Sequence, residues 1–542
     1  MATAAVTPQT GREPVPGSTA SGAAPRLHRR AAALAWLVGC AAAGAALGLA
    51  FPPVGWWPLA PLAVACLVLL VHSRGLRAGV VAGLVFGTAF FLVLLPWLTV
   101  IGVDAYLALV AVEAAWVGVL GGALGVVTRL RGWPVWVACC WVGDEVARAH
   151  LPLGGFPWGS LAFATAGTPL ARLEALGGDA ATGFTVALAG ALLAAGARRA
   201  WAARAQSTGG ARAATIAAAC VLGAVAATLV GGLVPTPIDG PSTTVAIVQG
   251  NVPRAGLNFL GRPQQVLANH VAATLRLARQ VATGQSRQPA VVVWPENASD
   301  VDPATTPSAA VAISAAVDAA RAPTLVGAVL TNPADPSTVL NAGLVWLPGS
   351  GRAHGPESVY VKRHLVPFGE YVPYRRLLTG WISELARIPR DFVAGDTPGL
   401  LRLGNQRVGE VICFEVAYDP LVAAVGREPL LVVQTNNADY AATGQPAQQL
   451  AITRLRAVEH GRSVVVAATT GISGVVRPDG SMQVQGPTRV AWVWDGSVTL
   501  RTGLTVADRV GQWPAALSVT VAALAVAVAV TTSRRSRRRA TS

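Results

Sequence analysis

Three side chains in the second half of this 542-residue sequence carry the functional groups for acyl transfer. They are Glu296 in "VVVWPEN", Lys362 in "SVYVKRHLV" and Cys413 in "VGEVICFEV". Each closes a run of β-forming apolar residues, and strand ends are where an α/β sheet offers side chains to a ligand. A thiolate attacks a carbonyl carbon, a carboxylate shuttles the proton, and an ammonium holds the negative charge developing on oxygen. The lysine stands out by count, since every other one of the 42 basic residues is arginine. Arginine stays protonated and presents a broad planar fork, whereas lysine is a compact point charge. A single lysine points to a task that needs a small ammonium; drift in an arginine-rich chain is the competing explanation.

Each residue has a plainer reading. Cys413 is the one cysteine outside the apolar runs that hold Cys40, Cys66, Cys139, Cys140 and Cys220. A cysteine with no partner in its domain is either buried and inert or a reactive thiol. Glu296 alone fits a strand-end salt bridge or cap. His364 beside the lysine fits a surface or packing role. "RLRAVEHGR" (454–462) reads as a helix on the sheet, with Glu459 and Arg462 spaced as an ion pair. No metal and no cofactor are called for.

The elements that position these residues divide sharply. Hydrophobic residues make up 53% of the chain and charged residues 13%, with mean hydropathy +0.49. Soluble domains are about a quarter charged, so a membrane protein is indicated. Apolar runs long enough for about 30 Å of hydrocarbon occur at 31–51, 55–72, 78–97, 103–128, 133–150, 181–200, 213–234 and 514–532. The second and fifth are the weakest. The expected organisation is a cytoplasmic tail without fixed structure at 1–29, a seven-helix membrane region at 30–234, an α/β domain at 243–505, a final membrane helix at 514–532 and a basic cytoplasmic tail at 533–542. Within 243–505, β-type runs alternate with helical stretches at 263–283, 306–321 and 446–461, the pattern of a layered α/β domain with buried sheets.

Arginines decide the orientation and the partner class. The net charge of +15 is distributed as membrane flanks are. Arg74 and Arg77, then Arg129 and Arg131, then Arg198, Arg199, Arg204 and Arg212 fall in alternate connections, and five arginines follow the last run. By the positive-inside rule both termini are cytoplasmic and 243–505 lies outside. No nucleic-acid-binding motif is present, so nucleic acid is not an expected partner. Asp104, Glu113, Asp144 and Glu145 lie in or near spans, where acids are costly. They are read as bundle-stabilising or headgroup contacts, with Glu145 and Arg148 as a pair.

Glu296, Lys362 and Cys413, in this order, resemble the catalytic set of the nitrilase (carbon–nitrogen hydrolase) superfamily. With a multi-span N-terminal region, "GFPWGSLAF", "AIVQGNVP", "WPEN", "KRHLVPFGEYVP", "ICFEV" and one closing span, the chain more narrowly resembles the apolipoprotein N-acyltransferase family over nearly all of its length beyond the N-terminal tail. The long string "HLVPFGEYVP" is the specific one. The resemblance implies an αββα sandwich on a membrane bundle of about eight helices in a bacterial cell membrane. It implies Glu296 as general base, Lys362 as oxyanion-holding cation and Cys413 as nucleophile. Glu370 and Glu415 become supporting acids, and the Phe414 backbone N–H the second oxyanion donor. The implied reaction moves a fatty acyl chain from a phospholipid, through a cysteine thioester, to the α-amino group of a diacylglyceryl-cysteine at a lipoprotein N-terminus.

Two departures bear on substrate contact. Residues 436–442 read "NNADYAA" where the family commonly has "NDAWFG", leaving Tyr440 as a substrate-binding candidate. The loop after "VQGNVP" lacks a tryptophan, with Phe259 as its substitute. Residues 371–392 are read as an interfacial arm shielding the site, or else as a helix packed on the sandwich. Two other functions compete: a membrane-anchored amidase or nitrilase-type hydrolase with water as acceptor, and a catalytically dead lipoprotein-binding scaffold.

Overall fold

A computed structural model describes residues 23–205, 210–252, 263–373, 375 and 390–541. The first part is helical: α1 (Ala23–Leu49), α2 (Leu59–Val71), α3 (Leu76–Leu94), α4 (Val103–Val127), α5 (Trp133–Arg148), α6 (Glu174–Ala205) and α7 (Gly210–Leu229). The first helix begins at Ala23, inside the stretch expected to be a tail. Six helices of the described chain have the length and apolar composition to cross a membrane, fewer than the eight runs in the sequence. With 13 residues, α2 spans only about 20 Å at 1.5 Å per residue, and α5 carries Asp144, Glu145 and Arg148. The α3 and α4 backbones touch through small residues: a Cβ on Gly83 would lie 2.1 Å from the carbonyl oxygen of Val117. Such close approach is how helices gain packing energy where the solvent is itself apolar.

Of the four acids singled out in or near the spans, Glu113, Asp144 and Glu145 are buried and hydrogen-bonded, though not as spacing alone suggests, and Asp104 is exposed. Arg148 bonds Glu113 at 2.9 Å and Asp144, one turn away, at 3.1 Å. Glu145 instead accepts from the Leu161 N–H, Ser160 Oγ and Trp141 Nε1. Its position on α5 aims it at the chain following the helix rather than at Arg148.

The second part is a sandwich. Strands β1 (Ser242–Gln249), β2 (Val291–Val293), β3 (Thr324–Thr331), β4 (Val339–Leu347), β5 (Gly351–Arg352) and β6 (Val359–Val361) form one sheet with β13 (Trp492–Thr499), in the order β13-β1-β2-β3-β4-β5, with β6 also on β4. Strands β7 (Gly399–Leu403), β8 (Gln406–Ile412), β9 (Leu430–Thr435), β10 (Ser463–Ala468), β11 (Gly474–Val476) and β12 (Met482–Gln485) form the other in the order β12-β11-β10-β9-β8-β7. Side chains alternate faces along a strand. Val245, Ile247, Val408, Ile412 and Val432 therefore meet between the sheets, while Ala246, Val248 and Val292 pack outward on α8 (Pro263–Ala282) and α9 (Pro307–Ala320). The outer face of the second sheet carries α10 (Asp419–Val425) and α11 (Gln445–His460). Their apolar cluster is continuous with the membrane bundle. The chain leaves the sandwich through the short helix α12 (Val506–Val510) into α13 (Trp513–Thr541).

The ion pair expected between Glu459 and Arg462 is not formed. Glu459 pairs with Arg456 at 2.5 Å, and Arg462 donates to the backbone carbonyls of Glu428, His460 and Gly503. Arg462 lies beyond the end of α11, so helical spacing no longer governs where it points. Arg456 also bonds Asp179 of α6 at 2.9 Å, joining the sandwich to the bundle.

Candidate active site

Three strand ends converge at the seam between the sheets. Lys362 is the residue after β6 and Glu296 follows β2, both in the first sheet, while Cys413 is the residue after β8 in the second. Lys362 Nζ lies 3.3 Å from Glu296 Oε1 and 2.8 Å from Glu370 Oε1, with the ammonium 1% exposed. Burial alone would lower the Lys362 pKa, but the two carboxylates hold it well above the usual lysine value.

Cys413 begins a short 3-10 turn, Cys413–Ala417, with φ +53°. A non-glycine residue in the left-handed region is strained and persists only where its surroundings fix it. Glu415 supplies that fixing. Its buried carboxylate accepts from the Ile412 N–H at 2.7 Å on one side and from the Arg363 and His364 N–H groups at 2.7 and 3.0 Å on the other. The Tyr360 hydroxyl adds a bond at 2.8 Å. One side chain thus ties the lysine's segment to the cysteine's turn. Cys413 keeps partial exposure as a residue. Burial of its thiol nevertheless pushes the pKa up to about 12, Glu296 adding to the rise while Lys362 and a hydrogen bond from Thr435 oppose it. The resting sulfur is therefore a thiol at neutral pH, with a carboxylate and a cation beside it.

Glu296 is anchored by both oxygens, accepting from Asn341 Nδ2 at 2.6 Å and the Asn436 N–H at 2.6 Å. Glu370 accepts from the Val366 N–H and from the same Asn341 amide at 2.8 and 2.9 Å. Asn341, whose backbone carbonyl also receives the Lys362 N–H, links all three charged residues. Sequence reasoning passed over it. The available signal was an amide within the otherwise apolar strand "VLNAGLVWL". Phe414 stacks on Phe156 and Trp158 from the bundle side, at 5.9 and 6.1 Å between ring centroids. Tyr440 meets Trp97 edge-on at 5.4 Å. His364 stacks on Tyr418 at 3.8 Å, and burial with the nearby Lys362 charge pushes its pKa down to about 4. Phe259 lies outside the described residues, as does most of 371–392. The two ends of that segment are pinned together, the Val372 N–H donating to the Asp391 carboxylate, and the Phe392 N–H donates to the Glu370 carbonyl beside the site. Among the described residues no group of three or more His, Cys, Asp or Glu side chains is placed to hold a metal ion.

Family comparison divides the chain where the fold does. Residues 43–192 match the apolipoprotein N-acyltransferase N-terminal domain and residues 244–500 the carbon–nitrogen hydrolase domain. Over 493 residues the chain is 37% identical to an apolipoprotein N-acyltransferase of Mycolicibacterium smegmatis, covering 86% of this chain and 80% of that one. The chain belongs to the apolipoprotein N-acyltransferase family. A second relative of that name, from Geobacter metallireducens, is 30% identical over 491 residues, 86% of this chain and 90% of its own. Among solved structures, an amidase from Nesterenkonia sp. AN1 aligns with 50% of this chain and 97% of that one, at 16% identity and a TM-score of 0.34. Membership in the apolipoprotein N-acyltransferase family makes the chain an acyltransferase, with transmembrane helices and a carbon–nitrogen hydrolase domain. Both family regions contribute side chains around Cys413: Trp97, Phe156 and Trp158 from the first, Phe414 and Tyr440 from the second.

Proposed function

We propose that this chain transfers a fatty acyl group from a phospholipid to the α-amino group of the diacylglyceryl-cysteine at a lipoprotein N-terminus. Cys413 attacks the ester carbonyl carbon while Glu296 takes the thiol proton. The ester oxygen of the lysophospholipid then leaves with that proton, and the acyl group stays on sulfur as a thioester. The acceptor amine attacks the thioester, Glu296 takes the ammonium-derived proton, and the thiol is restored. In each tetrahedral intermediate Lys362 Nζ and the Phe414 N–H hold the oxyanion, the term that dominates many acyl transfers. Glu370 fixes the Lys362 ammonium, Asn341 holds the Glu296 and Glu370 carboxylates, and Glu415 fixes the Cys413 turn.

The observation that carries this reading is the convergence of a buried ammonium, an anchored carboxylate and a thiol at one seam beside helices able to span a bilayer. A phospholipid ester sits at the membrane interface, and each CH₂ drawn into water costs about 0.8 kcal/mol. A thiol next to the bundle reaches the ester while the chains stay in lipid. The distribution of arginines supports both termini in the cytoplasm and the sandwich outside. The pinned ends of 371–392 support a shielding role for that segment. Mass spectrometry of the full chain incubated with phospholipid tests the reaction. The wild type gains one acyl chain and Cys413→Ala gains none. A wild type that releases free fatty acid without accumulating or passing on the acyl group would instead be a hydrolase.

A further inference from the structure

One glutamine fastens the sandwich to three separate connections of the bundle. Gln448 on α11 is 6% exposed. Its Oε1 accepts from Trp158 Nε1 at 2.7 Å and from Trp97 Nε1 at 3.0 Å. Its Nε2 donates to the carbonyls of Pro52 and Leu94, both at 3.0 Å. A primary amide has two acceptor lone pairs and two donors, so its capacity is filled. The partners come from the α1–α2 connection, from the last residue of α3 and the chain after it, and from the chain after α5. Gln448 makes no hydrogen bond to Glu296, Lys362 or Cys413 among the described residues. Its reach toward the chemistry runs through the two indoles. Their ring centroids lie 5.6 Å apart, with Trp158 stacking on Phe414 next to Cys413 and Trp97 meeting Tyr440 edge-on. The Tyr440 hydroxyl is itself within the electrostatic reach of Cys413 and Lys362.

We propose that Gln448 is a positioning residue for acyl-chain selectivity. By holding Trp97 and Trp158, themselves 8% and 2% exposed, on one carbonyl oxygen, it fixes Tyr440 and Phe414, the rings they back beside Cys413, as the apolar wall along which a fatty acyl chain lies when its carbonyl meets Cys413. The inference rests on the acyl-transfer reading above. Flat aromatic rings recognise a chain only through many small contacts, so discrimination depends on the buried indoles behind them staying in place. An apolar residue of similar size at 448 would leave two indole N–H groups and two carbonyls without partners, each free to seek others by moving. The reacting groups are held by Asn341, Glu370 and Glu415, and stay where they are.

The test uses the full-length protein in detergent with phospholipids bearing long or short acyl chains, and follows Cys413 acylation by intact mass. The readout is the ratio of the long-chain to the short-chain rate. In Gln448→Met this ratio falls about tenfold, the size of discrimination available to an apolar pocket. Alkylation of Cys413 by iodoacetamide keeps its wild-type rate. Trp158→Phe lowers the ratio likewise, and the double variant adds little, as expected of residues acting as a unit. An unchanged ratio in Gln448→Met or, should that variant fail to fold, in Trp97→Phe and Trp158→Phe overturns the inference while leaving acyl transfer standing. A wild type that forms no thioester overturns the acyl-transfer reading itself.

Discussion

Two buried cations, Arg148 in the bundle and Lys362 in the sandwich, have similar surroundings and different uses. Each is almost fully enclosed and faces two carboxylates: Glu113 and Asp144 for Arg148, Glu296 and Glu370 for Lys362. Arg148 also donates to the Trp158 carbonyl at 3.1 Å, and its guanidinium lies 5.4 Å from the Phe91 ring centroid. Its planar fork is committed to fixing four segments relative to one another. Lys362 has three donors; Glu296 and Glu370 take two, which leaves one for the oxygen of a reacting carbonyl. A fork locks architecture, whereas a point charge with spare capacity can serve a transition state. On the acyl-transfer reading proposed above, that distinction accounts for the one lysine in an otherwise arginine-only chain.

Exchanging the two residue types tests the distinction directly. Lys362→Arg keeps the charge but fills the pocket with a wider group, and acyl transfer falls about 10²–10³-fold, the scale of losing one oxyanion donor. Near-normal turnover in that variant would break the comparison. Arg148→Lys acts on stability instead. The lysine cannot reach Glu113, Asp144 and the Trp158 carbonyl together, and a buried group left unpartnered costs about 1–3 kcal/mol. Thermal unfolding in detergent then moves down while the rate per folded molecule stays close to wild type. A large rate loss with unchanged unfolding would assign Arg148 to the chemistry.

The parts legible in sequence were those with unusual composition or strict periodicity. Apolar runs located the helices because a bilayer demands length, and Lys362 and Cys413 stood out because each is alone of its kind in its region. Strand β9 read clearly because both of its faces are covered and it opens on four consecutive apolar residues, Leu430 to Val433. Strands β12 and β13 did not, since their residues are half-buried and interrupted by polar groups and glycine. Asn341 and Gln448 were illegible for another reason. Amides are common, and what distinguishes these two is the set of partners brought from distant segments. The misassigned pairs of Arg148 and Arg462 show the same limit, because spacing along one helix says nothing of Glu113 on another or of backbone carbonyls past a helix end.

A finer test separates the Glu296 carboxylate's work as a base from its effect as a charge. Its negative charge adds to the burial that raises the Cys413 pKa, and the Lys362 ammonium opposes both. In Glu296→Gln the charge goes and the cation remains, so the folded-state thiol pKa falls. At any pH below that pKa the thiolate fraction rises, by about tenfold for each unit of fall, and iodoacetamide alkylation of Cys413 quickens correspondingly. Lys362→Met has the opposite sign: the thiol pKa climbs and alkylation slows. Acyl transfer is lost in both variants, because one lacks the proton acceptor and the other the oxyanion partner. Measured against pH, alkylation thus ranks Glu296→Gln above wild type and wild type above Lys362→Met, while turnover puts wild type above both. If alkylation instead slows in Glu296→Gln, the carboxylate assists the thiol even without substrate, and the resting state is already a thiolate beside a protonated Glu296 rather than a thiol beside a carboxylate.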